Sequence, residues 1–131
     1  MECLVLYSAP PLRMEDFFYK PEVNGRERTP QAKLFFETLM NAAEINASDG
    51  KDETALLSEF QRRGWYAAAC CECPLEDSGI APESVAERFG VTVEKRVQHS
   101  YKPKRIALAS ESLEPLRKTL MSAGYRDVFS L

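Results

Sequence analysis

Nowhere does the sequence approach the ~18 to 20 consecutive apolar residues that a membrane-spanning helix needs. It also opens on strand-like residues, where an exported chain would carry a basic segment and an apolar signal core. The expectation is a soluble, unexported, cytoplasmic chain with no membrane partner. A disulfide framework is missing too. The four cysteines are Cys3, Cys70, Cys71 and Cys73, and three of them crowd into what reads as one buried strand. Free thiols in a reducing compartment, packed as small hydrophobes, are the simplest reading. Nor is there a surplus of positive charge: a formal net charge of -3 argues against wholesale coating of nucleic acid, which depends on Lys and Arg displacing counterions. Only a local basic patch remains open to that role. Internal repeats and low-complexity segments are absent.

What is present suits one globular domain spanning 1–131, since 131 residues with 44% hydrophobic and 28% charged side chains can build a single core and leave no room for a second full domain. Residues 2–7 form an apolar run, too short for a helix and closed by Pro10 and Pro11, as expected of a strand buried on both faces. Thr29-Pro30 fits a helix cap followed by a first-turn proline, and Leu34, Phe35, Thr38, Leu39 and Ala42 then recur at helical spacing. Leu56, Leu57 and Phe60 share a face of a second helix that ends before Gly64. Trp65 to Cys71 reads as the second strand, with a loop from Cys73 to about Ala81. Pro82 to Tyr101 reads as two helical pieces with a break near Gly90, because glycine weakens helices. Ile106 to Ala109 is a third strand, Ser110 caps a helix stopped by Gly124, and the segment after Tyr125 supplies a fourth strand. That order predicts an α/β fold: a mostly parallel four-stranded sheet, right-handed crossovers, and helices on both faces.

Several segments resemble, in order, the uracil-DNA glycosylase superfamily. They are Ser8-Ala9-Pro10-Pro11, the aromatic Phe17-Phe18-Tyr19, the turn Cys73-Pro74-Leu75, and Lys102-Pro103-Lys104-Arg105-Ile106. The resemblance implies a base-flipping scaffold whose ligand site is built on the loops after strands one and two, with DNA or a nucleotide as partner. It also exposes departures. The family's acidic residue falls on Ser8, its base-reading asparagine falls on Ala69, and neither the His-Pro-Ser loop nor the iron-sulfur cysteine pattern is present. The expectation is therefore a glycosylase-like scaffold that binds without catalysing, with no cofactor.

Candidate ligand-binding residues on this reading are Ser8, Pro10, Pro11, Phe17, Phe18, Tyr19, Cys73 and Pro74. Each has a plainer role open to it: the prolines end a strand, and the aromatics pin a long loop to the core. Lys95, Arg96, Lys102, Lys104 and Arg105 gather positive charge around His99 and form the candidate nucleic-acid contact; the plainer role is a solvated helix face. Cys70, Cys71, Cys73 and His99 include zinc-ligand types, but their spacing lacks a second Cys-x2-Cys unit, and no metal is expected. Two other functions stay open at this point, a protein-interaction domain and a small enzyme using Cys73 or Glu15 and Asp16.

Overall fold

A computed structural model describes residues 1–19, 27–47 and 52–131. Four strands, β1 (Cys3–Tyr7), β2 (Trp65–Ala69), β3 (Arg105–Leu108) and β4 (Val128–Ser130), form one parallel sheet in the order β2-β1-β3-β4. Five helices accompany them: α1 (Pro30–Ala42), α2 (Glu53–Arg62), α3 (Leu75–Ser78), α4 (Val85–Arg96) and α5 (Glu114–Ser122). Every pair of consecutive strands is joined by a long connection carrying helix, which is what parallel pairing demands. Register is set by Leu4 against Ile106 and Ile106 against Val128. Backbone bonds from Cys70 N to the Tyr7 carbonyl (2.8 Å) and from Cys71 N to the Ser8 carbonyl (2.9 Å) carry the β1–β2 alignment past the end of β2.

The described chain divides into two compact units: residues 1–10 with 66–131, and residues 11–65. The first unit holds the sheet. Leu4, Leu6, Ala68, Cys70, Ile106 and Leu108 point to one face and pack with Val85, Val93, Val97, Leu113, Leu116 and Leu120 from α4 and the α5 region. Cys3, Val5 and Ala107, pointing the other way, are just as buried. This is why the central strands read as continuous apolar runs without alternation.

The helical reading of 82–101 needs one correction. The chain does not break at Gly90; after a 3-10 turn at Pro82–Ser84, α4 runs through Gly90 without interruption. Gly90 is buried, and a Cβ built there would lie 3.5 Å from Leu116 Cδ2, an ordinary contact distance between α4 and α5. The irregularity comes seven residues later. Val97–Tyr101 widens into a π-helical turn, closed by Lys102 N donating to the Val97 carbonyl at 2.8 Å. Pro103 explains the stop, because the residue before a proline is disfavoured in the helical region. Lys102 leaves the helix in the left-handed region, at φ 47°. The loop expected over 73–81 also contains the short helix α3.

The second unit is built on aromatic packing. Phe18 is 2% exposed, and its ring lies 5.5 Å from Phe36, 5.4 Å from Phe60 and 4.9 Å from Tyr19. Trp65 joins through Phe60 at 5.9 Å. Thr29 caps α1 through Ala32 N as its sequence predicts, and Asp52 caps α2 through Thr54 N.

Candidate functional site

The strand order places a reversal at the middle of the sheet. From β1 the chain goes outward to β2, whereas from β3 it goes outward on the other side to β4, so the loops leaving β1 and β3 part in opposite directions. In open α/β sheets, the crevice beyond the carboxyl ends of such a strand pair is where ligands bind. Ser8 follows β1 directly, and Ser110 lies two residues beyond β3.

Their side chains meet across this gap through a third serine. Ser8 Oγ lies 3.4 Å from Ser112 Oγ, and Ser112 Oγ lies 2.8 Å from Ser110 Oγ. Ser110 Oγ also accepts from Ser112 N at 3.3 Å, capping the 3-10 turn Glu111–Leu113 that leads into α5. Ser8 is thus held on both sides, by Ser112 from the β3 loop and by Cys71 N on its carbonyl from the β2 side. A chain of three half-buried hydroxyls can both donate and accept, and it suits a neutral polar edge such as an amide, a sugar hydroxyl or a base. The sequence marks Ser8 and Ser110 separately. Their meeting through Ser112 follows only from the strand order.

The remaining candidate residues distribute as follows. Pro10 is half-buried just beyond Ser8, and Pro11 is half-buried at the start of the second unit. Cys73 is exposed and Pro74 half-buried at the start of α3, where the Cys71 thiol donates to the Cys73 carbonyl at 3.2 Å. Phe18 is enclosed among other rings and offers no free face, while Phe17 and Tyr19 are half-buried beside it.

That aromatic loop is held by a residue with no distinctive sequence signal, Arg28. Its side chain is 2% exposed, and it donates to the carbonyls of Phe17 (3.1 Å) and Phe18 (2.9 Å), to Glu53 Oε2 (2.9 Å), and stacks 4.7 Å over Phe36. Asp16 is likewise committed, accepting from Thr29 N at 2.8 Å and from Thr29 Oγ1 at 3.2 Å. Glu15 is buried and accepts from Arg13 Nε at 2.8 Å. A carboxylate pair already engaged in this way is structural in character.

The basic residues are spread: Lys104 and Arg105 lie at the amino end of β3, whereas Arg96 reaches the carboxyl end of β2. Arg105 opens β3, about 16 Å along the strand direction from Ser110 at ~3.3 Å per residue. It donates to Asp127 Oδ2 at 2.9 Å and stacks 4.6 Å over Phe129. Arg96 donates to the Ala69 carbonyl (3.1 Å) and to Tyr101 Oη (2.9 Å), and Lys104 Nζ is 3.6 Å from Glu2. Lys95 and Lys102 are exposed and have no ion-pair partner among the described residues.

Thiol chemistry is disfavoured at two of the four cysteines. Burial pushes the Cys3 and Cys70 thiols up to about 12, so both stay protonated and poorly nucleophilic at neutral pH. Burial raises the Tyr7 hydroxyl to about 12 as well. Among the described residues, no three His, Cys, Asp or Glu side chains gather in a way that could hold a metal ion, and no helix is long and apolar enough to cross a membrane. Compared with known proteins, the chain matches no family model, no curated protein and no solved structure.

Proposed function

We propose that this chain is a uracil-DNA glycosylase-like module that binds a nucleotide-like ligand at the carboxyl edge of its sheet and does not cleave it. The observation that carries the reading is the Ser8–Ser112–Ser110 hydroxyl chain at the point where the strand order reverses. Three rotatable hydroxyls can follow the donor and acceptor pattern of a base edge or a sugar. Pro10 stiffens one side of the opening, and Cys73 with Pro74 borders the loop after β2. The resemblance of Ser8-Ala9-Pro10-Pro11 to the family's first loop puts Ser8 where those enzymes carry an acid. A serine there supplies hydrogen bonds but no negative charge to stabilise a cationic sugar. The first carboxylates that follow Ser8 in the chain, Glu15 and Asp16, are engaged by Arg13 and Thr29.

Titrating deoxyuridine monophosphate into isotopically labelled protein tests this. The amides of Ser8, Cys71, Ser110 and Ser112 should shift together. Ser8→Ala and Ser112→Ala should each weaken binding about 2- to 10-fold, the worth of one hydrogen bond at ~0.5 to 1.5 kcal/mol. Shifts confined to other regions, or none at millimolar ligand, would refute the site. Release of free uracil from uracil-containing DNA would refute the absence of cleavage.

A further inference from the structure

Of the basic cluster marked by the sequence, Arg96, Lys104 and Arg105 have partners, whereas Lys95, His99 and Lys102 stay free and are joined by Arg88. Arg88, Lys95, His99 and Lys102 are all exposed, and none has an ion-pair or side-chain hydrogen-bond partner among the described residues. Arg88, Lys95 and His99 stand at i, i+7 and i+11 along α4 and its π-helical extension, close to one face, and Lys102 follows as the left-handed cap at the helix end. At ~1.5 Å per residue the row is about 21 Å long. Val93 and Val97, on the opposite face, are buried in the core, which fixes this row toward solvent. Glu87 and Glu94 flank it without pairing to it.

An aromatic pair stands at the row's far end. Tyr101 immediately precedes Lys102, and its ring lies 5.7 Å from Tyr66 at an interplanar angle of 31°. Tyr66 is 38% exposed although it belongs to a sheet strand. Arg96 braces the pair from behind: its guanidinium sits 5.6 Å over Tyr101, and it donates to Tyr101 Oη and to the Ala69 carbonyl. The π turn is what brings Tyr101 round to Arg96 five residues earlier.

We propose that this row is a second binding surface, one that takes single-stranded nucleic acid: phosphates lie along Arg88, Lys95 and Lys102, and a base stacks at Tyr66–Tyr101. A line of cations alone would suit any polyanion. The partly exposed, tilted aromatic pair at its end favours a polyanion that also carries flat rings, which a single strand presents unpaired. A 21 Å row corresponds to the low end of the ~4 to 16 nucleotides such sites cover. The surface is independent of the serine crevice and stands if that reading fails.

Fluorescence anisotropy with labelled oligothymidylate across a salt series provides the test. Three permanent cations predict a slope of log K against log salt near about -2, from ~0.7 per phosphate on single strands. Lys95→Ala combined with Lys102→Ala should reduce it to about -0.7. Tyr66→Ala should weaken oligothymidylate binding about 30-fold, the middle of the ~1 to 3 kcal/mol range for one stacked base. The same substitution should leave binding of an abasic strand of equal length unchanged. Lys33→Ala on α1, and Ser8→Ala paired with Ser112→Ala, should change neither. No binding at low salt, a slope unaffected by the double lysine substitution, or equal affinity for polyglutamate would overturn the proposal. So would an equal loss with the abasic strand when Tyr66 is replaced.

Discussion

Replacing Arg28 with alanine should cost about 3 kcal/mol of stability. The guanidinium is almost fully buried and serves the carbonyls of Phe17 and Phe18 together with Glu53. Each hydrogen bond from a charged donor is worth ~1.5 to 3 kcal/mol, and removing one partner of a buried pair costs ~3 to 5 kcal/mol. Those two figures describe overlapping contacts and do not add. Glu53, moreover, is 32% exposed, so its stranded carboxylate regains water and the electrostatic share must be discounted. The lower end, about 3 kcal/mol, is left. With a urea dependence of ~1 to 3 kcal/mol per molar, the midpoint should fall by about 1 to 3 M. Trp65, the single tryptophan, packs on Phe60 in the same unit and reports the transition by fluorescence. Arg28→Lys keeps a charge but cannot span both carbonyls and the carboxylate, so it should recover only part of the loss. A loss below about 1 kcal/mol for the alanine variant would show that water replaces the guanidinium at little cost, and that the aromatic cluster alone holds the loop.

Alkaline pH should destabilise the fold through its buried thiols. Because the native forms of Cys3 and Cys70 hold their protons to about 12 while unfolded thiols release theirs near 9, stability falls from about pH 9 upward. The loss is about 1.4 kcal/mol per thiol per pH unit; urea midpoints at pH 8 and pH 10 measure it, and Cys3→Ala with Cys70→Ala should flatten the slope. Gly90→Ala should stabilise by about 0.5 to 1 kcal/mol, since the new methyl meets Leu116 at ordinary contact distance inside a continuous helix. A lowered melting temperature would mean that α4 and α5 are pushed apart. Arg117 donates to the outward carbonyl of Val128 on edge strand β4 and is joined to Glu114 and Ser130. Arg117→Ala should therefore speed amide exchange at Ile106 and Leu131, whose partners lie across the β3–β4 ladder, and unchanged exchange would dismiss the brace.

Where local chemistry decides structure, the sequence was readable. Thr29-Pro30, Gly64, Ser110 and Gly124 each mark a helix end, and the unbroken apolar runs mark strands buried on both faces. Gly90 misled because one glycine weakens a helix without ending it, and burial of Val85, Val93 and Val97 against the sheet carries α4 through that position. The π turn is a one-residue widening closed by Lys102 N on the Val97 carbonyl, and no residue pattern within 97–101 announces it. The serine crevice was half legible, since Ser8 and Ser110 stand at strand ends but their juxtaposition depends on which strands are neighbours. Arg28 was hidden for the same reason, and of the exposed cations on α4 Lys95, His99 and Lys102 were marked by the sequence but Arg88 was not. Whether a cation is free or committed depends on partners remote in sequence, as Arg105 with Asp127 and Arg96 with the Ala69 carbonyl illustrate.

The placement of β1 between β2 and β3 has a consequence for how the chain is made. Residues 11–65 are contiguous and carry their own aromatic core, so this unit can consolidate as soon as it leaves the ribosome. Cys3 must wait for Arg105 before the centre of the sheet can close. At ~5 to 20 residues per second, an apolar strand spends about 5 to 20 s without its central partner during synthesis. A nascent chain stalled before residue 105 should therefore be sticky at β1, and a chaperone that shields short apolar segments should raise the yield of folded protein.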